Sequence, residues 1–281
     1  HAPFSVTVSA LISNTGGEAV ESGLPVGVYV DGVRIAKVVT TRRLDVGAAA
    51  EISVTWPVET PGDYDLTVVP NDEGCVVLCR TPASDGWTAT VEDLPLFGSW
   101  NLISSLVDPF ASATDVVQRP IAGQYRVIQS FDGGALSYYP DLPLAVNTLR
   151  TIDAEHGYWI KVLDHPATVG ALAPQAPDLE EKPVVATLRL VGRRLPADHP
   201  IELEAGWNLV SYLPDRLLRV PEALSGIDGL YSAVLGFEPE EGGLSYYADV
   251  DPIFNTLKAM KPGYGYWIKV AAATTLRYPS E

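Results

Sequence analysis

Few residues of this 281-residue chain stand at spacings that support covalent chemistry. Cys75 and Cys79, its two cysteines, are separated by Val76, Val77 and Leu78. In an oxidising compartment such a pair closes a small disulfide loop; otherwise it packs as two compact apolar thiols. No second Cys or His pair stands at zinc-ligand spacing. His1 offers an N-terminal imidazole and amine, the donors of one kind of copper site, but His156, His165 and His199 fall in turn-like stretches and none lies near the start. The paired acids Asp249 and Asp251, and Glu240 and Glu241, sit among Pro and Gly, where solvated carboxylates are expected rather than an acid–base pair held across a cleft. No G-x-S-x-G, H-E-x-x-H, P-loop or post-strand G-x-G-x-x-G occurs. These residues point away from an enzyme.

The aromatic residues are better organised. Trp100-Asn101-Leu102, Tyr138-Tyr139, Asn147-Thr148-Leu149 and Gly157-Tyr158-Trp159-Ile160-Lys161-Val162 return as Trp207-Asn208-Leu209, Tyr246-Tyr247, Asn255-Thr256-Leu257 and Gly265-Tyr266-Trp267-Ile268-Lys269-Val270. Recurrence at an offset of 107 residues for the first block and 108 for the later ones marks a duplicated folded unit with one insertion, and duplicated units usually serve as surfaces or spacers. Trp100 and Trp207, at the heads of strands, are expected in the core. Adjacent tyrosines on a strand point to opposite faces, which leaves Tyr139 and Tyr247 for partners. With Trp87 and Trp100 they form the candidate platforms for polysaccharide or a protein partner. Lys161 and Lys269 are expected to lie along Trp rings. A Lys–Asn crosslink to Asn147 or Asn255 would need a carboxylate beside both groups.

These side chains need a β framework to hold them. The 24 Gly and 23 Pro leave little room for extended helices, and short strands between turns follow. Residues 4–12 alternate, with Phe4, Val6, Val8 and Ile12 on one face. Asp31-Gly32 between two apolar runs, 24–30 and 33–39, predicts a hairpin. Further strands are expected over 51–58 and 64–69, and at 184–191 and 201–203 ahead of Trp207. Short helical turns are expected at 114–118 and 221–225, the latter with Pro at its start. The Ala/Pro stretch 171–178 reads as a semi-rigid linker. The fold class is therefore all-β: an immunoglobulin-like sandwich over 1–93, then two small β-rich modules over 94–173 and 174–281.

The net charge of −16 is spread along the chain with no basic stripe, so nucleic acid is not an expected partner. An acidic surface serves solubility without a specific ligand, and Ca²⁺ is the one cofactor it leaves open. No apolar run is long enough to span a bilayer and no signal peptide is present, as expected of a mature or trimmed secreted chain.

Two resemblances add to this reading. Asn14-Thr15-Gly16-Gly17, Val28-Tyr29-Val30-Asp31-Gly32, Leu44-Asp45-Val46-Gly47 and Pro61-Gly62-Asp63-Tyr64-Asp65-Leu66-Thr67 resemble CARDB, a bacterial cell-adhesion-related domain, over about the first 90 residues. The pattern departs after Pro70, where Asn71-Asp72-Glu73 leads into the cysteine loop. The repeated blocks resemble the tryptophan-rich "GWNLVSxP…GYWIKV" modules of secreted and surface bacterial proteins. Together the resemblances imply an extracellular adhesion or structural protein. Its expected partners are other copies of itself, other surface proteins or polysaccharide. A filament subunit that pairs strand edges through residues 4–12 is one version, and a carbohydrate-binding accessory region of a secreted enzyme is the alternative.

Overall fold

The computed structural model describes residues 4–74, 84–163 and 182–280. Cys75 and Cys79, His1 and His165, and the linker 171–178 with the boundary near 174 lie outside the described residues. The fold is almost entirely β, built of several antiparallel sheets, and its contacts divide it into two compact units, His1–Val91 and Glu92–Glu281.

The first unit contains β1 (Ser5–Ser13), β2 (Pro25–Val30), β3 (Val33–Val39), β4 (Ala49–Pro57), β5 (Gly62–Pro70) and the opening part of β6 (Asp85–Phe97). β1 pairs with β4 along its whole length, Ser5 opposite Pro57 and Ser13 opposite Ala49. In the second sheet β3, β2, β5 and β6 lie in that order. The alternation read from the sequence places Val8, Ile12, Ile52, Val54 and Trp56 inward on one sheet, and Val26, Val28, Leu66 and Val68 inward on the other, all buried. Asp31 and Gly32 have φ of 50° and 74°. This left-handed pair is the mirror-type turn whose twist matches a two-residue hairpin.

The second unit begins with residues 92–97 of β6 and continues through β7 (Ser99–Ile103), β8 (Val107–Pro109), α1 (Thr114–Val117), β9 (Tyr125–Phe131), β10 (Ala135–Tyr138) and β11 (Tyr158–Val162). Next come β12 (Val184–Arg194), β13 (Ile201–Leu203), β14 (Gly206–Val210), β15 (Leu218–Arg219) and α2 (Val220–Ala223). The chain ends with β16 (Tyr231–Glu238), β17 (Gly242–Tyr247), β18 (Ala259–Met260), β19 (Tyr266–Val270) and β20 (Thr274–Leu276). Two four-stranded sheets have matching orders, β10-β9-β11-β7 and β17-β16-β19-β14. One core gathers Leu94, Leu96, Ile128, Ile160, Leu188 and Leu190; the other gathers Ile201, Leu203, Val234, Ile268, Tyr212 and Tyr278.

Strand β12 departs from the expectation. It precedes the second set of blocks in sequence, yet Ala186, Leu188 and Leu190 pack in the core of the first set. It also pairs with β8, Gly192 opposite Pro109. Gly192 fits because a Cβ there would lie 1.9 Å from the Asp108 carbonyl oxygen. Arg189 on β12 grips Asp93 with Nε and Nη2, both at 2.6 Å. β12 thus occupies in the first set the place that β20, paired with β13, takes in the second. Ahead of Trp100, β6 runs to Phe97, and Leu94 and Leu96 match Ile201 and Leu203.

The two sets of blocks are joined reciprocally. The Ser104 N–H donates to the Gly263 carbonyl (3.0 Å) and the Ser211 N–H to the Glu155 carbonyl (2.9 Å). Ser104 Oγ donates to the Tyr264 carbonyl and Ser211 Oγ to the His156 carbonyl, both at 2.7 Å. The Gly265 N–H reaches the Leu102 carbonyl, as the Gly157 N–H reaches that of Leu209. Each of these bonds has its mirror, so this junction has approximate two-fold character. Gly157 and Gly265 meet at its centre. A Cβ on Gly265 would lie 2.7 Å from the Ile103 carbonyl oxygen and 3.1 Å from the Gly157 Cα. Neither glycine has a positive φ, so close approach, not backbone freedom, is what excludes a side chain there.

Candidate functional site

Trp100 and Trp207 are half-buried and belong to neither core, contrary to the expectation that they pack inside. Each meets the tryptophan of the neighbouring strand edge to face: Trp100 with Trp159 at 5.9 Å, Trp207 with Trp267 at 6.4 Å. Lys161 Nζ lies 5.4 Å from the Trp100 ring, and Lys269 Nζ 5.7 Å from that of Trp207. The rows then cross the junction, since Trp159 packs on Phe237 at 5.1 Å and Trp267 on Phe131 at 5.2 Å. A lysine cation over an indole face is held electrostatically while its stem covers apolar surface. These rings are therefore largely occupied by the protein itself.

The tyrosine pairs divide as the strand geometry requires. Tyr138 is buried whereas Tyr139 is 41% exposed, and Tyr247 is 44% exposed. Beyond each pair the chain runs over an apolar tip. Leu142, Leu144 and Val146 stand out at the first, Val250, Ile253 and Phe254 at the second, with Phe254 74% exposed. Buried Asn147 and Asn255 hold the base of each tip. The Tyr139 N–H donates to Asn147 Oδ1 (2.8 Å) and Asn147 Nδ2 to the Tyr139 carbonyl (3.1 Å); Tyr247 and Asn255 repeat this at 2.9 and 3.2 Å. Thr148 and Thr256 add their hydroxyls, accepting from the Ser137 and Ser245 N–H groups at 2.8 Å. The outer edges of β10 and β17 are thereby closed by side chains that imitate a neighbouring strand. Asn147 and Asn255 are thus committed to tyrosine backbone while Lys161 and Lys269 lie on tryptophan, so the geometry does not assemble a Lys–Asn crosslink.

The acids and histidines form structural pairs. His156 Nδ1 stands 2.9 Å from Asp153 Oδ1, and His199 Nε2 3.0 Å from Glu155 Oε1. The bond to Asp153 raises the His156 pKa. Burial pushes Asp153 up, but the hydrogen bond and charge of His156 outweigh it and leave the carboxyl lowered. Asp251 caps a helical turn by accepting the Ile253 N–H, and Glu240 and Glu241 are exposed. A shallow cleft of about 210 Å³ is lined by Phe131, Asp132, Glu155, His156, Glu202, Glu204 and Trp207. Glu92 is a half-buried carboxylate whose significance the sequence did not signal. Burial raises its pKa although Ser105 Oγ and the Leu106 N–H donate to it.

In the first unit, the segment singled out as a strand donor is docked within its own sheet. The Asn14 N–H donates to the Ala48 carbonyl and the Val58 N–H to that of Phe4, so the even-numbered residues of β1 face β4 with their backbone groups. Val8 and Ile12 are buried, while Ser5, Thr7, Ser9, Leu11 and Ser13 are exposed. Trp87, the remaining candidate platform, is half-buried on β6 opposite Leu66. Residues 2–77 match the family model described as CARDB. No curated protein and no solved structure matches the chain, and the tryptophan-rich resemblance finds no support in these comparisons. Within the CARDB-like region, Asp72 receives the Tyr29 hydroxyl at 2.6 Å and Arg34 Nη1 at 3.2 Å, and Lys37 Nζ lies 2.6 Å from Glu73. The Tyr29 bond leads the causes that lower Asp72, and the Lys37 bond those that lower Glu73. Gly27 leaves room for the Asp72 carboxylate, which a Cβ would meet at 2.4 Å. Among the described residues, no group of three or more His, Cys, Asp or Glu could hold a metal ion, and no helix is long and apolar enough to cross a membrane.

Proposed function

We propose that this chain is a non-catalytic, extracellular structural or adhesion protein: a CARDB-like sandwich followed by a duplicated β module whose two copies are bound to each other. The observation that carries this reading is the pair of apolar tips. At matching positions, Tyr139 and Tyr247 and the residues beyond them are held out by buried Asn147 and Asn255. Keeping large apolar side chains exposed on a rigid base costs solubility, and that pattern marks a surface built to touch something. His156, His199 and Asp251 support it from the other side, since they are engaged in two pairs and a cap and no hydroxyl is hydrogen-bonded to the His156 or His199 ring among the described residues.

Contact with other copies or surface proteins is the main version of this function. The exposed tyrosine rings favour a second, polysaccharide binding by stacking on sugar faces. One experiment separates them. The whole chain and a Tyr139→Ala/Tyr247→Ala variant are examined for self-association by light scattering and for retention on insoluble polysaccharides. Self-association without glycan supports the first version. Monomers retained on polysaccharide and released by the double substitution support the second. Neither behaviour, together with turnover of a substrate, would refute the non-catalytic reading.

A further inference from the structure

Each sheet of the described residues ends in strands whose backbone could recruit another chain, and several of these edges are blocked. The edges of β10 and β17 are closed by Asn147, Thr148, Asn255 and Thr256. The outer edge of β4 carries Glu51 and ends in Pro57, and Arg42 donates to its Ala49 carbonyl. β3 carries Arg34 and Lys37, both engaged with acids. β1 differs from all of these. Its nine residues, Ser-Val-Thr-Val-Ser-Ala-Leu-Ile-Ser, include no charge and no proline. The even residues bond to β4, so Ser5, Thr7, Ser9, Leu11 and Ser13 turn their N–H and C=O groups outward. No strand among the described residues pairs with that side.

We infer that the outer edge of β1 is a self-pairing surface, on which a second copy of this chain docks its own β1 antiparallel about a two-fold axis at Ser9. The inference rests on the structural reading above and names its contact. A two-fold centred on Ser9 sets Ser5 opposite Ser13, Thr7 opposite Leu11 and Ser9 opposite itself, so outward groups meet only outward groups over the full strand. About ten backbone hydrogen bonds form if all five facing pairs close. Leu11, 67% exposed in the single chain, then lies against the partner's Thr7. The uncharged, self-complementary register of β1 selects the occupant. Two copies of a chain with net charge −16 repel over most of their surface, and the β1 edge lets them meet without bringing like charges into register. The result is one continuous sheet, β4-β1 joined to the partner's β1-β4.

The test uses the whole chain and two variants, Ser9→Pro and Thr7→Lys. Ser9→Pro removes an N–H that points away from β4, and Thr7→Lys adds charge at the pairing line; neither removes a β1–β4 hydrogen bond. Sedimentation equilibrium up to about 1 mM, in low and high salt, reads the oligomeric state, and circular dichroism melting reports folding. The expected result is a wild-type dimer that strengthens with salt, with both variants monomeric and folded. If Ser9→Pro loses stability, Thr7→Lys decides alone. Wild-type association that survives both folded variants overturns β1 pairing while sparing the structural reading. A wild type that stays monomeric throughout overturns β1 pairing and self-association together, and leaves adhesion to other partners standing.

Discussion

Replacing Asn255 by alanine tests whether a side-chain amide can stand in for a missing strand. Asn255 is 3% exposed and makes two bonds to one residue, accepting from the Tyr247 N–H at 2.9 Å and donating to its carbonyl at 3.2 Å. Each bond is worth about 1 kcal/mol net, and a buried group left unpaired costs more. The Tyr247 side chain is 44% exposed, so water reaches part of its surroundings and tempers that penalty. The expected loss is therefore about 2 kcal/mol, which lowers the melting temperature of a unit this size by roughly 4–8 °C. Amide exchange at Tyr247 should rise more than at Ile268, in the centre of the sheet. Asn255→Asp sharpens the test. Its carboxylate still accepts from the Tyr247 N–H but opposes the carbonyl at neutral pH, so this variant should recover stability on acidification, when its protonated oxygen becomes a donor. A melting temperature within 1 °C of wild type for Asn255→Ala, with Tyr247 exchange unchanged, would refute the capping argument.

Two further outcomes follow from the junction. His156 has its pKa raised above 6.5 by Asp153, and Asp153 has its own lowered below 3.8. The stabilisation from raised His156 is full below 6.5 and fades as pH rises through the folded value, while that from Asp153 is present above 3.8 and fades as pH falls. The melting-temperature gap between wild type and His156→Gln should therefore be widest at intermediate acidity and narrow toward pH 8; a gap that widens there would show that the pair does not titrate as described. Gly265→Ala forces a Cβ to 2.7 Å from the Ile103 carbonyl oxygen. It should cost about 1–3 kcal/mol by separating the two sets of blocks, whereas Gly243→Ala, with open space around it, should cost less; equal melting curves for the two variants would contradict the close approach.

What could be read in advance depended on whether the cause was local. Asp31-Gly32 forms its hairpin because the left-handed turn is a property of two residues, and the alternation of β1 needs only a pleat. The tyrosine pairs divided inward and outward for the same reason. The reciprocal junction is another matter. Ser104 and Ser211 are equivalent by sequence, and nothing in equivalence tells whether a hydroxyl bonds within its own copy or to the other. Here each chooses the other, Tyr264 for Ser104 and His156 for Ser211. β12 misled for a related reason, since proximity along the chain assigned it to the blocks that follow whereas burial of Leu188 and Leu190 places it with the blocks before.

A signal for the junction was nevertheless present. A glycine with ordinary φ at the head of a strand has no turn to make, so its repetition at Gly157 and Gly265 implies that something comes too near for a Cβ. Tryptophan gave the opposite lesson. Size alone suggested the core for Trp100 and Trp207, but each repeat also supplies a lysine one strand away, and a lysine that lies along an indole keeps its charged head in water, which holds that face near the surface. Lys161 and Lys269 thus marked the sheet face that stays at the surface. The same reasoning separates the edges of the sheets: Asn with Thr marks an edge closed by its own chain, Arg or Lys marks one guarded by charge, and the uncharged Ser/Thr/Leu edge of β1 is left able to pair.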